Sequence, residues 1–274
     1  MWPLVAFAAL GLLLSPKGVR AGHTTTAFAD IEPGPRIMAM GGAGAGLAND
    51  PTAAWWNPAG LYFMRGTQGV VTYDDLYGEG LIQRNYLSVA WKKVHYEPRF
   101  DDNVLTLERD LNRGSAFGFS VSSLFLDLDE SSYSEFMPTL SYAAGVGGGV
   151  GLGASLSFLK ASSDVVGVGS TGYSATVGVS FPLPWDARFG YAARNLFSSL
   201  SPEEGAGEKL PITSAVGVSA PIGKAGLVAA DATFSDGDSR FGAGAEYWFF
   251  NHHLAGRAGL RQFDGAVESR VVPT

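Results

Sequence analysis

From Thr67 onward the chain alternates between large and small residues. Over 116–126, Phe117, Phe119, Val121 and Phe125 share one parity, and Ala116, Gly118, Ser120 and Ser122 share the other. Over 149–159, Val150, Leu152, Ala154, Leu156 and Phe158 oppose Gly149, Gly151, Gly153, Ser155 and Ser157. Residues 173–181 repeat the pattern, with Tyr173, Val177 and Phe181 against Ser174, Thr176, Gly178 and Ser180. Side chains on a strand point alternately to opposite faces, so period two means strands with a large apolar face and a small polar one. The alternation predicts about eleven strands, near 67–78, 80–94, 114–128, 131–144, 149–162, 169–182, 186–197, 210–221, 224–234, 239–249 and 252–262. Lengths of about 10–14 residues suit a tilted strand that crosses a bilayer.

Turns sort by side. Residues 181–185, 221–224 and 250–253 form short connections, whereas 162–170, 198–209 and 235–239 are longer and rich in Ser, Gly, Asp and Glu. Aromatics sort with them. Trp91, Trp185, Trp248, Phe249 and Phe250 fall at the short-turn ends, and Tyr77, Phe125, Tyr133, Phe197, Phe234 and Phe241 near the other ends. Two aromatic girdles are what anchoring at both membrane interfaces predicts. The stretch 95–112 breaks the layout, being long and charged where a short turn is due. Beyond an added hairpin or docking loop, the pattern offers no account of it.

Composition changes the picture in one direction. Of 274 residues only 16% are charged, while 46% are hydrophobic and 37 are Gly. A soluble sandwich or solenoid of this size would carry more charge on its outward faces, so large residues facing lipid and small ones facing a lumen is the preferred reading. The fold class is therefore all-β, a transmembrane antiparallel β-barrel. The absence of Cys removes disulfides, zinc–thiolate sites and Cys nucleophiles.

The first 21 residues read as a signal peptide: an apolar run from Leu4 to Leu14, then Val19-Arg20-Ala21 as a cleavage site before Gly22. A short membrane anchor is the alternative, but the run falls short of the roughly 20 residues a span needs. Its removal takes away Lys17 and Arg20 and moves the formal charge from −7 to −9. That acidic balance argues against nucleic acid as a partner. Within the strands, Arg188, Arg194, Asp231, Glu246, Arg257 and Arg261 occupy the small-residue parity and should face the lumen. On the lipid face at mid-depth each would cost about 2–4 kcal/mol. A ladder of ion pairs that stiffens the barrel is the plain reading, and a polar track for substrate the sharper one.

Ahead of the strands lies a Gly-, Ala- and Met-rich stretch. It runs Pro35-Arg36-Ile37-Met38-Ala39-Met40-Gly41-Gly42-Ala43, then Asp50-Pro51-Thr52-Ala53-Ala54-Trp55-Trp56-Asn57-Pro58-Ala59-Gly60-Leu61. It reads as a compact piece placed before the strands, with a turn at Asn57-Pro58. These two blocks resemble the N-terminal segment of the FadL superfamily of outer-membrane barrels, more closely its PorV/PorQ-like branch. Ala193-Arg194-Asn195-Leu196, Leu210-Pro211-Ile212-Thr213, 242–248 and 254–261 are similar to its later strands. The resemblance implies an outer-membrane barrel of about fourteen strands around an inward-folded helical plug. The domains are then signal peptide 1–21, plug 22–66 and barrel 67–274. About three strands expected after Arg261 are missing, so the resemblance also implies a chain truncated at its C-terminus.

Two functions follow from the resemblance. One is passive transport of hydrophobic, fatty-acid-like molecules, with Met38, Met40, Trp55, Trp56 and Phe63 of the plug as ligand contacts and Asn57 and Pro58 as the plug turn. For each residue singly, packing against the wall is the simpler reading. The other is a secretion-linked or scaffolding barrel that binds secretion or surface proteins through its loops, which short loops favour less. Outer-membrane lipid is a partner in both. Gly42-Ala43-Gly44-Ala45-Gly46 follows no strand and opens no βαβ unit, so it is not a dinucleotide site. His252-His253 lacks further ligands at metal spacing. Asp74-Asp75, Asp101-Asp102 and Glu203-Glu204 are most simply solvated, with a loop calcium site as the alternative. No enzymatic constellation, cofactor or metal site is expected.

Overall fold

A computed structural model describes residue 28, residues 32–264 apart from 77, 79, 102–103, 129–130, 165–168, 237 and 252, and residues 270–273. The signal-peptide reading falls outside the described residues. Twelve strands form one sheet: β1 (Thr67–Asp75), β2 (Ile82–Asp101), β3 (Val104–Leu128), β4 (Ser131–Gly145), β5 (Gly151–Ser163), β6 (Ser170–Pro182), β7 (Arg188–Pro202), β8 (Thr213–Ile222), β9 (Gly226–Ser235), β10 (Asp238–Phe249), β11 (Leu254–Asp264) and β12 (Arg270–Pro273). Their order in the sheet is their order in the chain, and each neighbouring pair is antiparallel. Among the described residues no pairing joins β1 to β12.

A strand stands at each of the eleven expected places, and β12 is an addition. The segment 95–112 is no turn. It continues β2 and β3 as a paired ribbon out to Asp101 and Val104, after a register shift between Val94 and His95. β7 runs on to Pro202, beyond its expected end, yet it pairs with β8 only from Arg188 to Arg194. At that point Asn195 takes a left-handed φ of 57°, and the β6–β7 register shifts between Ala175 and Val177. Asn is among the few residues that tolerate such a φ.

The faces separate as the alternation requires. Leu140, Leu156, Phe158, Phe119 and Tyr173 point outward and are exposed, whereas Ser120, Ser141, Ser155, Ser174 and Ser180 are buried on the inner face. A continuous exposed apolar belt of this size suits lipid and not water. Two girdle assignments need correction. Trp248 faces inward, its Nε1 donating to Glu246 at 3.1 Å. Tyr133 shares the inner parity of Glu135 and donates to it at 2.8 Å. At the Trp248 end, Tyr247 and Phe249, both exposed, occupy the outward positions.

The inner face is covered by the N-terminal segment 32–66. It holds α1 (Pro35–Met38), α2 (Ala53–Trp56) and the 3₁₀ turn η1 (Pro58–Phe63). Asn57-Pro58 does not end the segment, because η1 follows before β1 starts. Asn57 is fully buried. It caps η1 by accepting from Ala59 N at 3.1 Å, and it donates to Ala45 O at 2.7 Å and Val179 O at 3.3 Å. One side chain thus ties two parts of the segment to β6.

Glycine explains how so irregular a segment fits. A Cβ at Gly153 on β5, Gly178 on β6, Gly190 on β7 or Gly242 and Gly244 on β10 would come closer than 3.0 Å to atoms of residues 40–59. Gly145 on β4 meets the Tyr62 ring in the same way. The backbone of the segment therefore lies directly on the backbone of the wall. Ile37, Met40, Leu47 and Leu61 are fully buried in that contact, each contributing about 1.5–3 kcal/mol.

Gly190→Val should lower stability by about 1–3 kcal/mol or more, because overpacking here forces backbone apart. Gly69→Ala, with only ordinary contacts available to its Cβ, should change it little. Denaturant midpoints of the two variants, compared with the parent, check both statements.

Candidate functional site

Charged residues on the inner wall meet the segment at both of its flanks. Arg36 of α1 reaches Glu246 on β10 with two nitrogens, at 3.0 and 3.2 Å. Arg257 on β11 donates to the same carboxylate at 2.6 Å. Arg36 also contacts Asp50 at 3.5 Å and donates to Asn49 at 2.8 Å. Burial acts to lower the Arg36 pKa, but its hydrogen bond and charge attraction to Glu246, then Asp50, outweigh burial and leave it raised. Two cations and two carboxylates therefore balance locally.

Glu32 forms the second junction. Its carboxylate pairs with Arg261 on β11 and with Arg240 on β10 at 3.6 Å, while its carbonyl accepts from Arg84 on β2 at 2.8 Å. Arg84 also pairs with Asp74 on β1. Strands at opposite ends of the sheet order thus meet at one residue, so the sheet curls around the segment. Arg188 donates to the carbonyls of Gly46, at 2.8 Å, and Leu47. Asp231 accepts from Ala45 N. Five of the six residues of the expected charge ladder contact the segment, Arg261 through Gly41 O at 3.1 Å and Arg194 through Trp55, its guanidinium 4.1 Å from that ring's centre, while Arg257 reaches it only by way of Glu246.

Beside α2, between the segment and the longer loops, lies a cavity of about 80 Å³. Trp55 and Ala54 form its floor. Tyr86, Leu124, Met137 and Leu210 contribute apolar wall, and Ser120, Ser174, Glu135 and Asn195 are among the polar lining residues. The Asn195 bulge is fastened at this rim: Asn195 accepts from Ser174 at 2.6 Å and donates to Pro211 O at 3.1 Å.

The five segment residues expected to contact ligand are not gathered there. Only Trp55 lines the cavity. Met38 is partly exposed and lies beside Arg84, 3.8 Å from Sδ to nitrogen. Met40 is buried with Ala43 and Leu47 against Ala229. Trp56 is buried and donates to Pro33 O at 2.8 Å. Phe63 sits on the other side, under the Arg188 guanidinium at 4.9 Å. Glu32, Arg84, Tyr86, Glu135, Met137 and Leu210 were not foreseen. The parity of 80–94 does place Arg84 and Tyr86 inward, a signal strong enough to have found them. Among the described residues no cluster of metal-ligating side chains occurs.

No family model and no curated protein matches the chain. Among solved structures, a deltaS2 mutant of the TodX monoaromatic hydrocarbon channel is similar at 14% identity with a TM-score of 0.57, covering 87% of this chain and 84% of that one. That similarity decides the fold. The chain has a TodX-like fold. The toluene transporter TodX of Pseudomonas putida also matches, at 14% identity and a TM-score of 0.44, over 87% of this chain and 85% of that one.

Glu246→Gln leaves Arg36 and Arg257 facing one another without their shared carboxylate. Both cations keep about a quarter of their surface, 24% and 25%, so the loss should be about 1–3 kcal/mol and not the larger cost of a fully buried pair. A fall in the denaturant midpoint checks it.

Proposed function

We propose that this chain is a bacterial outer-membrane barrel that passes small hydrophobic molecules without energy coupling, with segment 32–66 as its plug. The supporting observation is the cavity floored by Trp55, set where plug meets wall in a TodX-like fold. An aromatic floor ringed by polar groups, here several hydroxyls with Arg84, Glu135 and Arg194, can orient a small molecule. The exposed apolar belt is the surface that lipid would cover. In this reading the ion pairs around Arg36 and Glu32 hold the plug, and Met40 and Trp56 pack it. Of the five residues considered as ligand contacts, Trp55 is the one assigned that role.

A second reading, a secretion-linked or scaffolding barrel, draws on a different observation. β2 and β3, at 20 and 25 residues, are the longest strands described, and their paired ribbon outruns its neighbours. A chain lacking 96–110 that still binds ligand, yet no longer retains a surface protein in cells, would favour it.

Titration of the detergent-solubilised protein with toluene should give saturable binding, and Trp55→Ala should weaken it about tenfold, the effect of removing an aromatic contact. Absence of saturable binding by toluene and by a long-chain fatty acid would remove the transport reading.

A further inference from the structure

We propose that the cavity above Trp55 selects a single-ring aromatic carrying a hydrogen-bonding group over the bare hydrocarbon of the same shape. This rests on the reading of that cavity as a ligand site and adds the chemistry of its occupant. The first observation is size. At about 80 Å³ it holds roughly six waters, at ~10–15 Å³ each, and so a molecule of about one ring.

The second observation is the wall. Beside the charged Arg84, Glu135 and Arg194, the lining carries the hydroxyls of Ser120, Ser122, Thr139, Ser157, Ser174 and Thr176. They come from β3, β4, β5 and β6, and Thr139 and Ser157 are already bonded to each other at 2.8 Å. They follow from the alternation itself, since small polar residues hold the inner parity. A wholly apolar ligand would displace water from these groups and return no hydrogen bond.

The third observation is Tyr86. It lines the cavity and is 2% exposed. Its hydroxyl is enclosed beside Ser88 and Ser120, with no hydrogen bond of normal geometry to either. Buried polar groups are nearly always paired, so a small turn of this ring toward a ligand hydroxyl at the wall would complete its bond. A ligand hydroxyl directed toward Tyr86 and Ser120, with its ring on Trp55, satisfies floor and wall together. A site arranged to bond a substrate hydroxyl discriminates strongly against the analogue that lacks it.

The test uses an isosteric pair, p-cresol and p-xylene, titrated calorimetrically into the full chain in detergent. Binding of p-cresol at least about tenfold tighter is expected, the worth of one or two hydrogen bonds. Tyr86→Phe should cut that ratio about threefold or more while leaving p-xylene unchanged. Ser120→Ala serves as a second variant, and an unchanged unfolding midpoint shows that either one folds. Equal binding, or tighter binding of p-xylene, overturns the preference but leaves the site. Binding of neither overturns the site as well.

Discussion

The structure depends on the backbone of the N-terminal segment lying directly against the backbone of the wall. Gly153, Gly190, Gly242 and Gly244 meet segment backbone directly, and Gly145 and Gly178 make room for the Tyr62 ring and the Asn57 side chain. No side chain could stand there without pushing the two apart. The contact is irregular on the segment's side, with two one-turn helices and a 3₁₀ turn, so its polar backbone groups need partners. The wall supplies them: Ser88 donates to Pro51 O at 3.0 Å, Ser155 to Ala54 O at 2.9 Å and Ser219 to Gly46 O at 2.8 Å. Small hydroxyls and glycines on the inner parity are thus two parts of one requirement: close approach, and satisfaction of the backbone brought close.

Charge adds direction to that contact. Arg36 and Glu32 lie near the start of the segment and reach β10 and β11, while Glu32 also receives Arg84 from β2. Arg188 and Asp231 hold the middle, through carbonyls and an amide. Each link is longer-range and more adaptable than the glycine contacts, and Arg36 stays partly exposed while Glu32, Arg84 and Asp231 are buried. They fix where the segment sits along the wall more than how tightly it packs. The cavity survives because α2 turns the small Ala54 and Trp55 toward that space, with Trp56 turned away into the core at 4.7 Å, edge to face.

Much of the fold was legible in the sequence because a strand with one lipid face and one crowded face tolerates few exceptions to period two. Phe117, Leu156 and Tyr173 outside and Ser120, Ser155 and Ser174 inside follow from parity alone. Parity also placed Arg188, Asp231 and Glu246 inward. Position along the strand is less informative. Trp248 and Tyr133 sit at strand ends where girdle aromatics belong, yet both share the inner parity, which should have taken precedence. The site was mostly illegible for another reason. Trp55, Met137 and Leu210 meet only because the segment crosses the sheet at a particular height, and neighbouring residues give no sign of that height. Met40 and Trp56 have the same chemistry as the residues of a greasy pocket and serve the packing of the segment. The continuation of β2 and β3 through 95–112 was harder to read because charge dominates the stretch, although Leu105, Leu107 and Leu111 do alternate with Thr106, Glu108 and Asp110.

The central claim is that residues 44–64 are packed inside the curled sheet. Hydrogen exchange of their backbone amides, measured on the protein in lipid, tests this most directly. The account predicts that Ala45, Ala48, Asn57 and Ala59, whose amide donors are all taken, exchange as slowly as the amides at the centres of β5 and β6. Exchange of those four amides at the rate of an open surface loop would contradict it.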